Sequence, residues 1–132
     1  MNYIFDQVAR EMANISAKQA FPHYNIVKVD DTRMEIRIAL AGYKMEEIEI
    51  KQQGDNLSIS SQGVNDRKVE YYHKGFTTKP FVRTFLLNNE VEVKGADFQD
   101  GILTILLDRV IPEKMRVRTI PIGQQKQQIL NG

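Results

Sequence analysis

The sequence contains no cysteine. A disulfide framework, a zinc site built on thiolates and a thiol nucleophile are therefore all excluded. Neither sign of charge dominates, because 18 Lys and Arg residues against 17 Asp and Glu residues give a net charge of +1. A protein dedicated to binding nucleic acid carries an excess of basic residues, so this balance argues against that class. The small net charge also leaves self-association unopposed by electrostatic repulsion.

The chain also lacks a long apolar run. No stretch approaches the roughly 18 residues of a membrane span. Asp6, Arg10 and Glu11 lie where a secretory signal peptide would have its apolar stretch. We therefore expect a cytoplasmic protein with no integral membrane association. The 132 residues, 42% hydrophobic and 27% charged, suit one folded domain with a short segment at either end.

No arrangement of residues typical of an enzyme is present. The two histidines, His23 and His73, have no second plausible ligand at helical spacing, so no metal motif exists. The glycines match neither the dinucleotide-binding nor the phosphate-loop pattern, and no nucleophile elbow is found. We expect no catalytic residues, no metal and no cofactor.

Residues 1–21 carry apolar side chains at helical spacing. Charged residues lie off this stripe, which predicts an amphipathic helix. A helix of three to four turns is marginally stable alone. It either packs on the rest of the chain or stays mobile and offers its apolar face to another molecule. The stripe consists of Ile4, Phe5, Val8, Met12 and Ile15.

Between Tyr24 and Leu107 the apolar pattern has a period of two, which is typical of strands with one buried and one solvated face. The turn sequences at residues 54–56 and 100–101 are short enough for hairpins. Ile102–Leu107 is apolar almost without a break, so we expect both of its faces to be covered. Seven or eight short strands at this spacing predict an all-β fold, an antiparallel β-sandwich.

Residues 61–75 interrupt this pattern. They begin polar and become strand-like at Val69–His73. A long polar loop that carries its own strand is uncommon and usually functional, and it can pair with another subunit. The sequence Tyr71-Tyr72-His73-Lys74 also allows contact with nucleic acid. The near-neutral net charge favours an edge strand with solvated side chains instead, and we expect no nucleic-acid partner.

One charged residue lies among aromatic ones. At a period of two, Arg83 shares a face with Phe81 and Phe85. An unpaired buried charge is costly, so an arginine in this position must be paired or lie at an interface. We expect a carboxylate from across a subunit boundary.

The segment after the last strand combines basic and apolar residues. Residues 109–118 contain four basic residues and one acidic residue, which fits a solvated hinge or a segment that binds an acidic surface. Ile120-Pro121-Ile122 follows. Proline cannot donate to a ladder, so this motif cannot be a central strand. Its two isoleucines either enter a groove or belong to a last edge strand of the domain.

Several of these stretches together resemble the small heat shock proteins of the α-crystallin superfamily, most of all the bacterial type that associates with inclusion bodies. The match runs over about residues 22–122, and its order makes it specific although each stretch alone is weak. The matching stretches are Tyr24–Ile26, Ile38–Tyr43, Tyr72–Gly75, Phe81–Phe85, Ala96–Leu103, Ile111–Glu113 and Ile120–Ile122.

The resemblance implies an immunoglobulin-like sandwich, the α-crystallin domain, over residues 22–108. A short arm, expected to be helical, precedes it at 1–21, and a hinge with a flexible tail follows it at 109–132. The strand at Val69–His73 is expected to cross over and pair with the partner's strand near Ile26, making a dimer. The interface residues implied are Val69, Tyr71, Tyr72, His73, Arg83 and Ile26.

The resemblance further implies that Ile120 and Ile122, on either side of Pro121, fill a groove of a neighbouring dimer and link dimers into a larger homo-oligomer. The expected groove lies between residues 47–53 and 96–99, and its expected lining is Ile48, Ile50 and Phe98. The implied function is ATP-independent holding of unfolding proteins, with no cofactor.

The stripe of residues 1–21 and this groove are the two candidate client-binding surfaces. A non-enzymatic co-chaperone or adaptor module with the same sandwich is the alternative function, and a structural protein that only polymerises is a third.

Overall fold

A computed structural model describes residues 2–16, 20–110 and 117–123. It contains one helix, seven strands and a short 3-10 helix at Met45–Glu47. Two regions singled out in the sequence, Ile111–Glu113 and residues 124–132, lie outside the described part. The helix is α1 (Asn2–Ser16), and the strands are β1 (Tyr24–Lys28), β2 (Arg33–Ala39), β3 (Ile48–Gln53), β4 (Asn56–Ser61), β5 (Phe81–Leu86), β6 (Val91–Gln99) and β7 (Ile102–Arg109).

The strands form where the sequence alternates. In β2 the side chains of Met34, Ile36 and Ile38 are buried, while Arg33 before them and Arg37 between Ile36 and Ile38 are exposed. The hairpin turns predicted at residues 54–56 and 100–101 join β3 to β4 and β6 to β7. Period two therefore located β2 and its inward face.

The strands make two antiparallel sheets that pack face to face. One sheet has the order β1-β2-β7-β6 and the other the order β3-β4-β5. Between them lies a single core formed by the inward residues of both sheets. The expected all-β antiparallel sandwich is confirmed. The fully buried apolar residues of the strands include Ile36, Ile38, Leu57, Ile59, Phe85, Ile105 and Leu107.

The two sheets overlap so that each side of the sandwich has one edge strand from each sheet. The rings of Tyr24 in β1 and Phe85 in β5 meet edge to face with centroids 5.1 Å apart. These two edges therefore lie on the same side, which we call the β1/β5 side. Because β6 and β3 are the opposite edges of their sheets, they bound the other side, which we call the β3/β6 side.

The expectation that both faces of Ile102–Leu107 are covered is wrong. Leu103, Ile105 and Leu107 point into the core, but Ile102 is 38% and Leu106 42% exposed. The physical reason is the number of layers. Only one sheet packs on β7, so the outward face of this apolar strand meets solvent.

The predicted strand at Val69–His73 is not present in the single chain, where residues 62–80 contain no strand. A strand needs a neighbour for its N–H and C=O groups, and no other strand of the described chain runs beside this segment. The base of the loop is nevertheless closed. The Val64 amide donates to the Thr78 carbonyl at 2.9 Å, and the Tyr43 hydroxyl donates to the Lys79 carbonyl at 2.5 Å.

Glycine is required where this loop closes. Gly63 has φ +84°, and a β-carbon there would lie 2.8 Å from the Thr78 carbonyl oxygen and 2.9 Å from the Pro80 nitrogen. Both are backbone atoms that cannot move aside alone. Gly54, in the β3–β4 turn, has φ +57° but no atom within 4 Å of such a carbon.

We expect Gly63→Ala to lower the free energy of unfolding by about 2 kcal/mol or more beyond the effect of Gly54→Ala. Both variants carry the strain of a positive φ, about 1–2 kcal/mol, but only Gly63→Ala forces a backbone overlap. Urea unfolding followed by circular dichroism measures the difference. Equal losses in the two variants would show that the loop base is not held as described.

Candidate functional site

The candidate site is the pair of long sides of the sandwich, because edge strands present unpaired backbone groups there. The β3/β6 side carries the residues expected to line the groove. Ile48 and Ile50 lie on β3 and Phe98 lies on β6, and all three are half-buried and packed against the core. The groove residues thus belong to edge strands of opposite sheets, so an extended segment can lie in the gap between the layers.

The tail motif is exposed in the single chain. Ile120 is 63% and Ile122 103% exposed, and Pro121 is exposed between them. Residues 117–123 form no strand, so the alternative that the motif is a last edge strand of the domain is wrong for this chain. The described chain therefore holds two exposed isoleucines and a half-buried apolar cleft that residues 117–123 do not fill.

The β1/β5 side is covered by α1. Phe5, Val8 and Met12 are 2%, 5% and 1% exposed and belong to the same core cluster as the strands. The helix packs against β5. At its edge, Asp6 Oδ1 lies 3.4 Å from the Lys28 ammonium of β1. Of the two possibilities left by the sequence, the structure shows the packed one.

Part of the predicted stripe is not described. The backbone of Ile4 and Ile15 belongs to α1, but their side chains lie outside the described residues. The three stripe residues that are described all face inward. The sequence predicted the helix and its apolar face but did not decide between packing and mobility, because an apolar stripe does not show which surface covers it.

Arg83 lies inside the sandwich. It is 1% exposed, between the inward-facing Phe81 and Phe85 of β5. Its guanidinium carbon lies 4.6 Å from the centre of the Tyr24 ring, a cation–π contact across the two edges of the β1/β5 side. Burial lowers the pKa of this guanidinium. The carboxylate expected from a second subunit stays a prediction.

The residues expected to make the dimer lie in two places. Ile26 is half-buried on β1, which pairs with β2 and has its other edge open within the described chain. Val69, Tyr71, Tyr72 and His73 lie in the loop of residues 62–80, and all are exposed, Tyr72 at 111%.

A small polar cluster holds this loop in its single-chain form. The Tyr71 hydroxyl donates to Asp66 Oδ2 at 2.9 Å, and the Lys74 ammonium lies 3.3 Å from the same oxygen. The hydrogen bond and the nearby cation lower the pKa of Asp66. The pKa of Asp66 is lower in the folded loop than in an unfolded chain. Asp66 therefore stabilises the folded loop at pH values above the ordinary pKa of an aspartate, and this stabilisation is lost as the pH falls.

Within residues 2–16, 20–110 and 117–123, no three His, Asp or Glu side chains group to hold a metal ion. In the same ranges, no helix combines the length and the apolar character needed to cross a membrane.

Comparison with known proteins agrees with this geometry. The model of the Hsp20/alpha crystallin family matches residues 26–123. Small heat shock protein IbpB of Yersinia pestis (strain Pestoides F) is 38% identical over 130 residues, which cover 96% of this chain and 84% of the relative.

Solved structures show the same sandwich. A small heat shock protein from Synechococcus phage S-ShM2 is 35% identical, covers 78% of this chain and all of its own, and superposes with a TM-score of 0.59. C-terminally truncated AgsA from Salmonella typhimurium is 28% identical at the same coverage, with a TM-score of 0.62. At 19% identity, a protein from Xylella fastidiosa shares the fold with a TM-score of 0.65, covering 80% of this chain and 99% of its own.

We expect Phe5→Ala to release α1 from the sandwich. Truncating a buried phenylalanine removes about 3–5 kcal/mol of packing, and a detached helix of this length is marginal. Trypsin cleavage after Arg10 should accelerate at least about tenfold. Gln7→Ala, on the exposed face of the same helix, is the matched control and should change the rate less than about twofold. Equal rates in both variants would contradict the packed position of α1.

Proposed function

The chain belongs to the Hsp20/alpha crystallin family, and from that premise we propose that it is an ATP-independent chaperone, a holdase that binds unfolding proteins and prevents their irreversible aggregation. The proposed activity is non-enzymatic and needs no cofactor. The cytoplasm is the proposed location. A holdase must keep apolar surface of its own in reserve, because unfolding clients expose apolar surface and permanent exposure would lead to aggregation.

The observation that carries the proposal is the coexistence of an exposed Ile120-Pro121-Ile122 motif and an uncovered apolar cleft in one chain. Because Ile120 and Ile122 lie outside the cleft of their own chain, they are free to enter the cleft of another copy. Burying one isoleucine contributes about 1.5–3 kcal/mol, and ordering the tail offsets part of that. Each link is therefore reversible, and several links per particle give an assembly that is stable yet exchanges subunits.

Dimers are the proposed building block. We infer that the loop segment Val69–His73 becomes a strand when it pairs with the open edge of β1, beside Ile26, in the partner subunit. Antiparallel or parallel addition to an edge strand satisfies backbone groups that the single chain leaves open. Arg83 would then lie behind the paired edge.

Clients are proposed to bind where apolar surface can be uncovered. The two candidates are the α1 stripe (Ile4, Phe5, Val8, Met12, Ile15) and the cleft lined by Ile48, Ile50 and Phe98. The described part of the stripe is buried, so the helix must leave the sandwich before it can meet a client. The cleft becomes available when a tail leaves it. Heating favours both events.

The proposal is tested by heating an aggregation-prone enzyme with and without this protein, in the absence of ATP, and following light scattering. We expect suppression near one chain per client and recovery of both proteins in a large soluble complex. Bovine serum albumin at equal mass controls for crowding. If aggregation of the enzyme is not suppressed at temperatures where the protein stays folded, the holdase proposal is wrong, and an adaptor or a structural protein is favoured.

We expect Ile120→Ala with Ile122→Ala to shrink the particle towards dimers, because the links between dimers lose their apolar side chains. Multi-angle light scattering after size exclusion measures the mass. Val117→Ala is the matched control, since Val117 is also fully exposed on the tail but lies outside the motif. An unchanged mass in the double variant would overturn tail docking.

A further inference from the structure

The Ile120-Pro121-Ile122 motif has the same sequence in both directions. Two isoleucines alone therefore do not decide whether the tail runs parallel or antiparallel to β3. The flanks of the motif differ, because Arg118 lies two residues before it and the uncharged Gln124 two residues after it. A direction can be fixed only if the two ends of the cleft differ as well.

The two ends of β3 differ in charge. Glu46 and Glu47 precede Ile48, whereas Gln52 and Gln53 follow Ile50. In extended chains residues two apart face the same way. A parallel tail with Ile120 at Ile48 and Ile122 at Ile50 places residue 118 just before the start of β3, beside the 3-10 helix that contains Glu46. An antiparallel tail places residue 124 beside that 3-10 helix and residue 118 beside residue 52.

A depression lies at the acidic end. It is open to solvent, has a volume of about 620 Å³, and extends from Glu46 and Glu47 along the β3-β4-β5 sheet to Val82. Glu47 accepts a hydrogen bond from the Lys44 amide at 3.1 Å. The Glu49 carboxylate, also in its lining, lies 3.2 Å from the Lys51 ammonium.

Glu46 is the acid of this depression that is open to a partner. It is exposed, and within residues 2–16, 20–110 and 117–123 it takes part in none of the ion pairs. The depression thus offers a carboxylate and space beside Ile48, the first residue of the cleft.

We propose that this depression is a second subsite for the tail of another copy of this chain, that it binds Arg118 beside Glu46, and that it makes the tail run parallel to β3. The inference rests on the proposed tail docking and adds its direction and its polar contact. The occupant comes from another copy because Arg118, Ile120 and Ile122 of the same chain are all exposed. Of the two possibilities for the hinge of residues 109–118, this proposal favours binding to an acidic surface over simple solvation.

The direct test uses disulfide trapping, which is clean because the chain has no cysteine. Chains carrying Met45→Cys are mixed with chains carrying either Val117→Cys or Gln125→Cys and oxidised mildly. The two tail positions lie three residues outside the motif on opposite sides, and neither variant removes Glu46 or Arg118. Tail positions 117 and 125 approach residue 45 in the parallel and antiparallel arrangements, respectively. Mass spectrometry of the tryptic peptides identifies the mixed disulfides.

We expect the 45–117 disulfide to exceed the 45–125 disulfide at least about fivefold. A dominant 45–125 product, or equal yields, overturns the proposal. If neither disulfide forms although Ile120→Ala with Ile122→Ala still shrinks the particle, the subsite is wrong and tail docking survives. If neither forms and the particle mass is also unchanged, tail docking itself has failed.

Charge reversal tests the contact without cysteines. Arg118→Glu should raise the protein concentration at which the assembly half-dissociates by roughly 3-fold or more, as expected for an exposed ion pair replaced by repulsion. The effect should weaken at high salt. Lys126→Glu makes the same charge change beyond the motif and should shift the midpoint less than twofold. Adding Glu46→Lys to Arg118→Glu should restore the original midpoint, and failure to restore it counts against the pair.

Discussion

The fold depends on one constraint, which is that two stacked sheets with four and three strands leave two long sides where edge strands meet solvent. Edge strands expose unpaired N–H and C=O groups and the margin of the core. On the β1/β5 side, α1 closes that margin with Phe5, Val8 and Met12. On the β3/β6 side, Ile48, Ile50 and Phe98 stay half-buried. The proposed tail docking and its proposed direction concern the β3/β6 side, whereas the proposed dimer concerns the backbone edge of β1, which no strand of the described chain pairs beyond β2.

Much of the sandwich is predictable from the sequence, because the strand period fixes the inward face locally. Ile36, Ile38 and the inward orientation of Arg83 follow from alternation alone. What the sequence does not carry is the number of layers and the identity of neighbours. The exposure of Ile102 and Leu106 depends on whether a further layer covers the outward face of β7. Val69–His73 is irregular because no strand of the described chain runs beside it, and the packing of α1 depends on where the core is incomplete.

Because the described part of the α1 stripe is buried in the core, exposing the stripe and opening this margin of the core happen together. Phe5 and Met12 share the core cluster with Phe85 of β5 and with Tyr24 of β1, beside the contact of Arg83 with the Tyr24 ring. Removing the helix uncovers the stripe and at the same time opens this margin of the core to water. Since a helix of this length is marginal in isolation, a detached arm would be largely unfolded, and its apolar side chains would no longer form one rigid face.

The closed base of the loop at residues 62–80 has a consequence for how this protein can diverge. The Val64–Thr78 hydrogen bond and the Tyr43–Lys79 hydrogen bond tie both ends of the loop to the sandwich. The intervening residues contribute no side chain to the core. Insertions, deletions and substitutions between residues 65 and 77 therefore remove no side chain from the core. If this segment pairs with another chain as proposed, its length and chemistry can change the choice of partner while the core of the sandwich stays the same.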